Sequence, residues 1–338
     1  MGVESGKSMI DSYNREINYL RVSVTDRCNL RCIYCMPKEG LSVIGHDDIL
    51  RYEEILRVIR ASIQLGIAKV RVTGGEPLVR RGILDFLCKL KTIDELRDVS
   101  LTTNGILLES LAEGIFEAGI RRINISLDSL NPEKYEHVTR GGSLERVLRG
   151  INEARRAGFF PIKINIVVIK GFNDDEILSF ARQTIENPYQ IRFIELMPLG
   201  RVGMDHEEKY LSNEIILDEI AKAYPLEPLN VEKNNLDGPA KLYRIKDARG
   251  ELGFISAISQ HFCQSCNRLR LTADGNMRAC LFSDQEVDLK NAMRMGCSDS
   301  ELVNLIKTAA ETKPGGFKET ADEGHIKKCT KDMSAIGG

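Results

Sequence analysis

The stretch YLRVSVTDRCNLRCIYC, residues 19–35, decides how this chain folds, because a strand pattern runs directly into three closely spaced cysteines. Apolar and polar residues alternate from Leu20 to Thr25, which is typical of a strand with two different faces. The same alternation recurs along the chain, each time followed by a segment with helical spacing. The predicted strands cover about 20–25, 69–74, 98–103, 122–127, 162–168 and 190–196, and the predicted helices about 51–65, 82–91, 107–118, 143–157, 174–186 and 213–223.

Repeated strand–helix pairs predict an α/β fold with right-handed crossovers and a parallel sheet. Six pairs are too few for the usual eight-stranded barrel, so we expect an open, partial (β/α)6 barrel over residues 16–224. Residues 1–15 are expected to be a disordered leader, and the proline-containing segment 225–240 a linker. Residues 241–338 are expected to form a smaller α+β extension that covers the open side and carries a Gly-Gly tail.

The predicted strands have one apolar and one polar set of alternate residues. The polar set comprises Arg21, Ser23, Thr25, Arg71, Thr73, Ser100, Thr102, Asn124, Ser126, Asp128, Lys163 and Asn165. A packed barrel would be filled by Val, Ile and Leu, so a polar interior indicates a lumen that holds ligand and water. The alternative, a polar face turned to solvent on a one-sided sheet, is less favoured because parallel sheets are rarely left uncovered.

The composition excludes several classes of protein. Among 338 residues, 47 Lys and Arg oppose 49 Asp and Glu, and this near-neutral balance argues against a dedicated nucleic-acid binder. No apolar run reaches the roughly 18 residues that a membrane helix needs. The first residues resemble neither a secretory signal nor a transit peptide. We therefore expect a cytoplasmic protein with neither nucleic acid nor membrane as a partner.

The nine cysteines indicate metal or redox chemistry, since an odd number in short spacings does not fit a disulfide framework in a reducing compartment. Cys28, Cys32 and Cys35 form what we call the first triad, and Cys263, Cys266 and Cys280 the second triad. Soft thiolate ligands favour iron–sulfur clusters or zinc. Three cysteines leave one iron of a four-iron cluster open to an external ligand.

Zinc is the alternative to a cluster, chiefly at the second triad. No histidine lies close to the first triad in sequence, whereas His261 could complete a Cys₃His zinc site with the second. Of the remaining cysteines, Cys88 is expected in the core, and Cys297 and Cys329 have no assigned role.

The first triad, with Tyr34 before its last cysteine, resembles the signature of the radical S-adenosylmethionine superfamily. The next strand ends in TGGEP, residues 73–77, which resembles the second motif of that superfamily. We expect the glycines there to expose backbone groups that hydrogen-bond the ammonium group of S-adenosylmethionine.

Nearly the whole chain resembles the GTP 3′,8-cyclases of molybdenum cofactor biosynthesis. The matching stretches are residues 19–37, 71–78, 102–105, 125–129, 193–198 and 262–271 and the terminal Gly337 and Gly338. The resemblance implies that the first triad ligates the [4Fe–4S] cluster that binds S-adenosylmethionine. It implies a second [4Fe–4S] cluster on the second triad, with its open iron facing the guanine of GTP.

The resemblance also assigns site residues. It implies that Tyr34, Gly75, Ser126 and Met197 contact S-adenosylmethionine, and that Arg21, Arg71, Thr102, Lys163, Arg268 and Arg270 contact GTP. Arg21 and Arg71 are expected to share the catalytic role with the first triad. The tail residues Gly337 and Gly338 are expected to reach the site near Arg21 or Arg71. From spacing alone, Arg268 and Arg270 leave one side of a strand together and can clamp phosphate.

The implied function is that of a lyase. One electron cleaves S-adenosylmethionine, the resulting 5′-deoxyadenosyl radical removes the ribose 3′ hydrogen of GTP, and the ribose carbon bonds to C8 of guanine. The implied partners are a reductant such as flavodoxin or ferredoxin and the downstream cyclic pyranopterin monophosphate synthase, with a homodimer as one option for assembly. Two alternatives stay open: another radical S-adenosylmethionine enzyme with an auxiliary cluster, such as a peptide maturase, and a zinc-stabilised binding protein.

Overall fold

The architecture is that of one large, mostly parallel sheet with helices packed against it. The structure is a computed structural model that describes residues 8–41, 43–199, 206–229, 235–316, 321–322, 325–326, 329, 331 and 333–337. Its strands are β1 Met9–Ile10, β2 Glu16–Ile17, β3 Tyr19–Ser23, β4 Lys69–Thr73, β5 Asp98–Thr103, β6 Arg122–Ser126, β7 Ile162–Val168, β8 Tyr189–Glu195, β9 Leu226–Pro228, β10 Lys241–Ile245, β11 Glu251–Ile255, β12 Arg268–Leu271, β13 Asn276–Arg278, β14 Glu286–Asp288, β15 Ala321–Asp322 and β16 His325–Ile326.

Eleven helices accompany these strands among the described residues, and six of them correspond to the predicted helices. They are α1 Tyr52–Ile63, α2 Ile83–Lys91, α3 Leu108–Glu117, α4 Pro132–Thr139, α5 Leu144–Ala157, α6 Ile177–Glu186, α7 His206–Lys209, α8 Asn213–Ala223, α9 Leu289–Arg294, α10 Asp299–Glu311 and α11 Met333–Ile336. All six predicted barrel strands are present as β3 to β8, each parallel to the next. The α/β class and the open parallel barrel are confirmed.

The C-terminal segment extends the barrel sheet at both edges. The sheet has 12 strands in the order β14-β13-β12-β3-β4-β5-β6-β7-β8-β11-β10-β9. Strand β12 is parallel to β3, and β11 is parallel to β8. The extension thus reaches the open side from both ends of the sheet, and it brings the second triad next to β3.

The two faces of the barrel strands differ as the alternation predicts. Apolar residues such as Val22, Val70 and Ile123 are completely buried in the helix-facing core. On the other face, Ser23 and Asn124 are buried, whereas Lys163 keeps part of its surface accessible. The polar set therefore does not lie in open solvent, so the alternative of a one-sided sheet is wrong.

Three local expectations are wrong. Residues 8–15 belong to the fold, since β1 pairs with β2 and Met9 is buried; only residues 1–7 of the expected leader lie outside the described residues. Strand β9, inside the expected linker, pairs with β10. Cys88 is exposed, because the buried face of α2 is formed by Ile83, Phe86, Leu87 and Leu90.

Helix α4 has no counterpart in the sequence prediction. Its N-cap is Asn131, whose side chain accepts a hydrogen bond from the backbone N–H of Lys134, and Pro132 occupies the first turn. An Asn-Pro pair is a helix-start signal that the sequence offered. Along the described residues, no helix is both long and apolar enough to cross a bilayer.

Candidate active site

The first triad lies on the loop that leaves the carboxyl end of β3. This loop is held by helix α4, because the N–H groups of Arg31 and Ile33 donate to the carbonyls of Thr139 (3.0 Å) and Val138 (2.9 Å). Arg140, just after α4, donates to the carbonyl of Met36 at 2.8 Å. The three cysteines are partly exposed. The last turn of α4 therefore fixes the backbone from which the first triad projects.

Gly74 and Gly75 permit the end of β4 to touch the loop of the first triad. A Cβ atom on Gly75 would lie 2.4 Å from the carbonyl oxygen of Arg27, and one on Gly74 would lie 2.7 Å from that of Thr25. The N–H of Gly75 donates to Thr25 at 2.6 Å. This hydrogen bond joins two loops, and the glycines are required for that close approach. An ammonium group can bond only to backbone carbonyls, so the expected contact with S-adenosylmethionine concerns the carbonyls of these glycines and stays a prediction.

The side chains of Glu76 and Asn104 connect three loops at this end of the barrel. Glu76 is buried and accepts hydrogen bonds from Thr103 Oγ1 (2.8 Å) and from the N–H of Asn104 (2.6 Å). Burial raises the pKa of Glu76 to about 7. Asn104 Nδ2 donates to Asn29 Oδ1 at 2.8 Å and lies 3.8 Å from Cys28 Sγ. Sequence reasoning assigned no role to either residue, although both fall within or beside the quoted motifs.

An acidic side chain, Asp128, lies at the other end of the first triad. The Tyr34 hydroxyl donates to Asp128 Oδ2 at 2.7 Å, and Asp128 Oδ1 accepts from the N–H of Val167 at 2.9 Å. Burial raises the pKa of Asp128 to about 6. Burial, followed by the negative charges of Cys35, Asp128 and Cys28, raises the pKa of Cys32. Cys28 and Cys35 therefore both lie within electrostatic range of Cys32.

The register of the strands brings the predicted cations together inside the barrel. Arg270, Arg21 and Arg71 lie side by side on β12, β3 and β4. A second row contains Thr102, Asn124 and Lys163 on adjacent strands. A third row contains Ser126, Asn165 and Arg192, in that order. Arg192 was missed by sequence reasoning, although its alternation with Ile191 and Phe193 offered the same signal.

The cations that line the lumen favour the binding of an anion. Burial, followed by the charges of Arg192 and Arg71, lowers the pKa of Lys163 to about 6. Burial together with Arg71 lowers that of Arg192 to about 9. Among the described residues, the buried oxygens of Thr102 (Oγ1), Asn124 (Oδ1) and Asn165 (Oδ1) have no hydrogen-bond partner. Negatively charged groups of a ligand would pair with the cations, and its hydroxyl or N–H donors would satisfy the amide oxygens.

The second triad lies among cations, with Cys263 and Cys266 just before β12 and Cys280 just after β13. The N–H of Cys266 donates to the carbonyl of Cys263 at 3.1 Å, in one short turn. Burial opposes ionisation of Cys266, but Arg268 and Lys313 outweigh it and lower its pKa to about 6. One ring nitrogen of His261 lies 2.9 Å from the carbonyl oxygen of Ala257.

A cavity of about 570 Å³ adjoins the second triad. Its lining includes Tyr19, Phe262, Cys266 and Arg268, and the Arg268 guanidinium stacks 4.9 Å above the ring of Phe262. The cavity therefore combines a thiol, a cation and aromatic surface next to the amino end of β3.

The C-terminal tail enters the barrel. The carbonyl of Gly337 accepts a hydrogen bond from Arg270 Nη1 at 2.7 Å. Gly337 has a φ of +83°, and a Cβ there would lie 2.8 Å from that of Ser23. Ile336 is buried in a small cluster against which Met197 packs. The contact made by Gly337 is with Arg270, the neighbour of the expected Arg21, and Gly338 lies outside the described residues.

The donor sets of both triads fit an iron–sulfur cluster, since each offers three cysteine thiols as ligands. In the part of the chain that the structure describes, no three His, Cys, Asp or Glu side chains converge on a single metal ion.

A parallel α/β barrel with a cysteine triad after its first strand and a Gly-Gly motif after its second defines a class of protein. The family model described as the Radical SAM superfamily matches residues 22–184, and the one described as Molybdenum Cofactor Synthesis C matches residues 189–319. Streptococcus suis SuiB bound to S-adenosylmethionine has a similar fold, with a TM-score of 0.58 and 14% identity over 96% of this chain and 79% of that chain. The class is that of the radical S-adenosylmethionine proteins.

Two curated relatives specify the family. A GTP 3′,8-cyclase of Thermodesulfovibrio yellowstonii is 47% identical over 332 residues, covering 98% of this chain and 100% of the relative. One of Pelotomaculum thermopropionicum is 47% identical over 334 residues with the same coverage. The chain belongs to the GTP 3′,8-cyclase family.

Proposed function

We propose that this protein is a radical S-adenosylmethionine lyase that converts GTP to (8S)-3′,8-cyclo-7,8-dihydroguanosine 5′-triphosphate in molybdenum cofactor biosynthesis. Family membership supports this function. The observation that carries it is the lumen, in which adjacent strands present Arg270, Arg21 and Arg71 side by side between the two triads.

The first triad is proposed to hold the cluster that binds S-adenosylmethionine. When bound, the cluster and S-adenosylmethionine together supply the 5′-deoxyadenosyl radical. The chain contributes a fixed loop, held by α4 and by the approach of Gly75 to the carbonyl of Arg27. It also contributes the acidic groups Glu76 and Asp128, which suit a ligand with a cationic ammonium and sulfonium. Tyr34, Gly75, Ser126 and Met197 are the proposed contacts to this ligand.

The barrel cations are proposed to hold the triphosphate. Arg21, Arg71, Thr102, Lys163, Arg268 and Arg270 are the proposed GTP contacts, with Arg21 and Arg71 closest to the reaction. Arg192 joins them because its strand register places it beside Asn165 on the same face. Fixing the phosphates in this lumen orients the ribose and excludes water, which is how positioning lowers a barrier.

The second triad is proposed to hold an auxiliary [4Fe–4S] cluster that meets the guanine. Its place beside the cavity lined by Tyr19 and Phe262 supports this role. The tail, Gly337 and Gly338, is proposed to complete the site from the side of Arg270.

The remaining partners follow from the reaction. The enzyme needs a one-electron donor such as flavodoxin or ferredoxin, and its product is proposed to pass to cyclic pyranopterin monophosphate synthase. A homodimer is one option for its assembly. Cluster-binding thiols must stay reduced, which favours the cytoplasm.

The decisive experiment measures iron, sulfide and zinc in anaerobically purified protein, followed by turnover of GTP with S-adenosylmethionine and a reductant. We expect about eight irons and eight sulfides per chain, a brown colour that bleaches on reduction, and cyclised GTP. The Cys88→Ser variant, which changes an exposed thiol on α2, is the matched control for cysteine chemistry. Four irons with one zinc would overturn the assignment of a second cluster, and zinc alone would overturn the proposed enzymatic function.

A further inference from the structure

The segment that follows α10 lies against the second triad, and the side chain of Lys313 makes this contact. Lys313 is only 3% exposed. Its Nζ donates to the carbonyl of Arg268 at 2.8 Å and to the carbonyl of Ala279 at 2.6 Å. Arg268 follows Cys266 by two residues, and Ala279 directly precedes Cys280. One ammonium group therefore joins the two segments that carry two of the three thiols.

Arg15 makes the corresponding connection to the third cysteine. Its Nη1 donates to the carbonyl of Cys263 at 2.8 Å, and its Nη2 to the carbonyl of Pro314 at 2.8 Å. The guanidinium is itself fixed by a buried ion pair with Asp11, at 2.6 Å. Residues 313–314 are thus linked to all three cysteine-bearing segments.

The positive charge of Lys313 is buried beside the second triad and lacks a carboxylate partner among the described residues. Within the described ranges, no recorded ion pair joins Lys313 to an Asp or Glu carboxylate, whereas Arg15 has Asp11. A buried ammonium without an anionic partner is costly. The negative groups that act on Lys313 are Cys266 and Cys280. Thiolates bound to a metal would supply the missing negative charge.

We propose that Lys313 is a positioning residue of the second triad: it holds the segments of Cys266 and Cys280 in place and offsets the charge of their thiolates. This inference rests on the proposed function only in that the second triad binds a metal or cluster. Residues outside the ligand set that orient ligands in this way change metal affinity by about 10- to 100-fold. Loss of the positive charge also makes reduction of a cluster harder, because the added electron is less well stabilised.

The test uses the full chain with Cys28, Cys32 and Cys35 replaced by Ala, so that only the second triad can bind. In this parent we compare Lys313→Met, which removes the charge, with Lys313→Arg, which keeps it. Lys307→Met is the matched control, because Lys307 lies on α10 in an exposed pair with Glu311. Iron and sulfide are measured after reconstitution with limiting iron, zinc is measured in parallel, and the cluster is titrated with a reductant of known potential.

We expect Lys313→Met to bind iron about 10-fold more weakly than the parent and to need a stronger reductant for half-reduction. Lys313→Arg keeps the potential of the parent even if its occupancy falls, and Lys307→Met behaves as the parent in both measurements. Equal occupancy and equal potential in Lys313→Met and the parent would overturn the inference. A failure of the proposed second cluster appears in the parent itself. If the parent binds zinc in place of the cluster, the inference is tested by comparing the zinc affinities of Lys313→Met and the parent. A parent that binds neither iron nor zinc overturns both proposals.

Discussion

The two cysteine triads have the same donors but opposite surroundings. Burial, with a smaller effect of the Glu76 carboxylate, raises the pKa of Cys28 to about 11. At the second triad, the cations Arg268 and Lys313 overcome burial and lower the pKa of Cys266 to about 6. Ligand number therefore does not distinguish the two sites, whereas the charge of the neighbouring residues does.

The difference in neighbouring charge indicates which kind of ligand each triad favours. Acidic neighbours around the first triad favour a cationic ligand such as a sulfonium. Basic neighbours around the second triad continue into the row Arg270, Arg21 and Arg71, and so favour an anionic ligand. Variants at the two triads test this difference, and variants of the charged lumen test the region that connects them.

The largest expected effect comes from replacing one cysteine in each triad. We expect Cys28→Ser to abolish formation of 5′-deoxyadenosine, because the first triad holds the cluster that cleaves S-adenosylmethionine. We expect Cys266→Ser to keep this formation but to lose cyclisation of GTP. Both products are quantified by chromatography of anaerobic reactions, with Cys88→Ser as the control. Retention of 5′-deoxyadenosine by Cys28→Ser would reject the assignment of the first triad.

The close approach at Gly75 offers a structural way to disable the first triad alone. In Gly75→Ala the new Cβ would lie 2.4 Å from the backbone oxygen of Arg27, and backbone cannot move aside as a flexible side chain can. We expect the variant to lose the iron of the first triad, about half of the total, while the second triad stays loaded. Iron analysis and the visible spectrum measure this loss.

The matched control for this variant is Gly238→Ala, since a Cβ on Gly238 would meet nothing within 4 Å. Full iron content in Gly75→Ala would show that the loop of the first triad tolerates displacement, and that the two glycines have another purpose.

The barrel and both triads could be predicted from sequence because their signals are local. Period-two alternation in β3 and β7 specifies which residues face the lumen, and cysteine spacing specifies the thiols. The helix α4 was missed although Asn131 and Pro132 announce its start, because its short segment has a weak apolar pattern.

Other site residues have no local signal. Lys313 follows a helix, where a lysine is usually solvated, and Arg15 lies in a segment that composition alone marks as a leader. Only the fold brings them to Cys263, Cys266 and Cys280. The close approach of Gly75 to the carbonyl of Arg27 also has no local signal. Such close approaches between distant segments depend on tertiary packing.

Arg71 is one of the cations that lie between the two triads. Arg71 hydrogen-bonds Ser100 through its Nε at 3.2 Å and lies beside Arg21 in the lumen. Loss of a charge-assisted hydrogen bond costs about 2 kcal/mol, so Arg71→Met should weaken GTP binding roughly 30-fold. Iron content should not change, because Arg71 touches neither triad.

Equilibrium binding of GTP to the anaerobic protein measures this effect. Arg146→Met, which changes an exposed arginine on α5, controls for the loss of one positive charge. An unchanged affinity in Arg71→Met would remove the residue from the phosphate site.

The smallest expected effect is a pH dependence of GTP binding due to Lys163. Without ligand, burial and the nearby cations Arg192 and Arg71, followed by Arg122 and Lys69, hold the pKa of Lys163 at about 6. A bound triphosphate would reverse this repulsion and raise the pKa. At pH values between the pKa of Lys163 in the unliganded protein and its pKa in the complex, the complex holds one more proton. The affinity for GTP therefore falls as pH rises, by at most about tenfold per pH unit.

The phosphate groups of GTP also titrate near pH 6, so the informative quantity is the difference between the parent and Lys163→Arg, whose guanidinium stays protonated. Calorimetry in two buffers with different ionisation heats counts the protons taken up on binding. We expect uptake above pH 7 to be larger in the parent than in Lys163→Arg, and the slope of affinity with pH to be correspondingly steeper. Identical slopes would place the Lys163 ammonium outside the reach of the phosphates and would leave the arginines Arg21, Arg71 and Arg270 to bind the triphosphate.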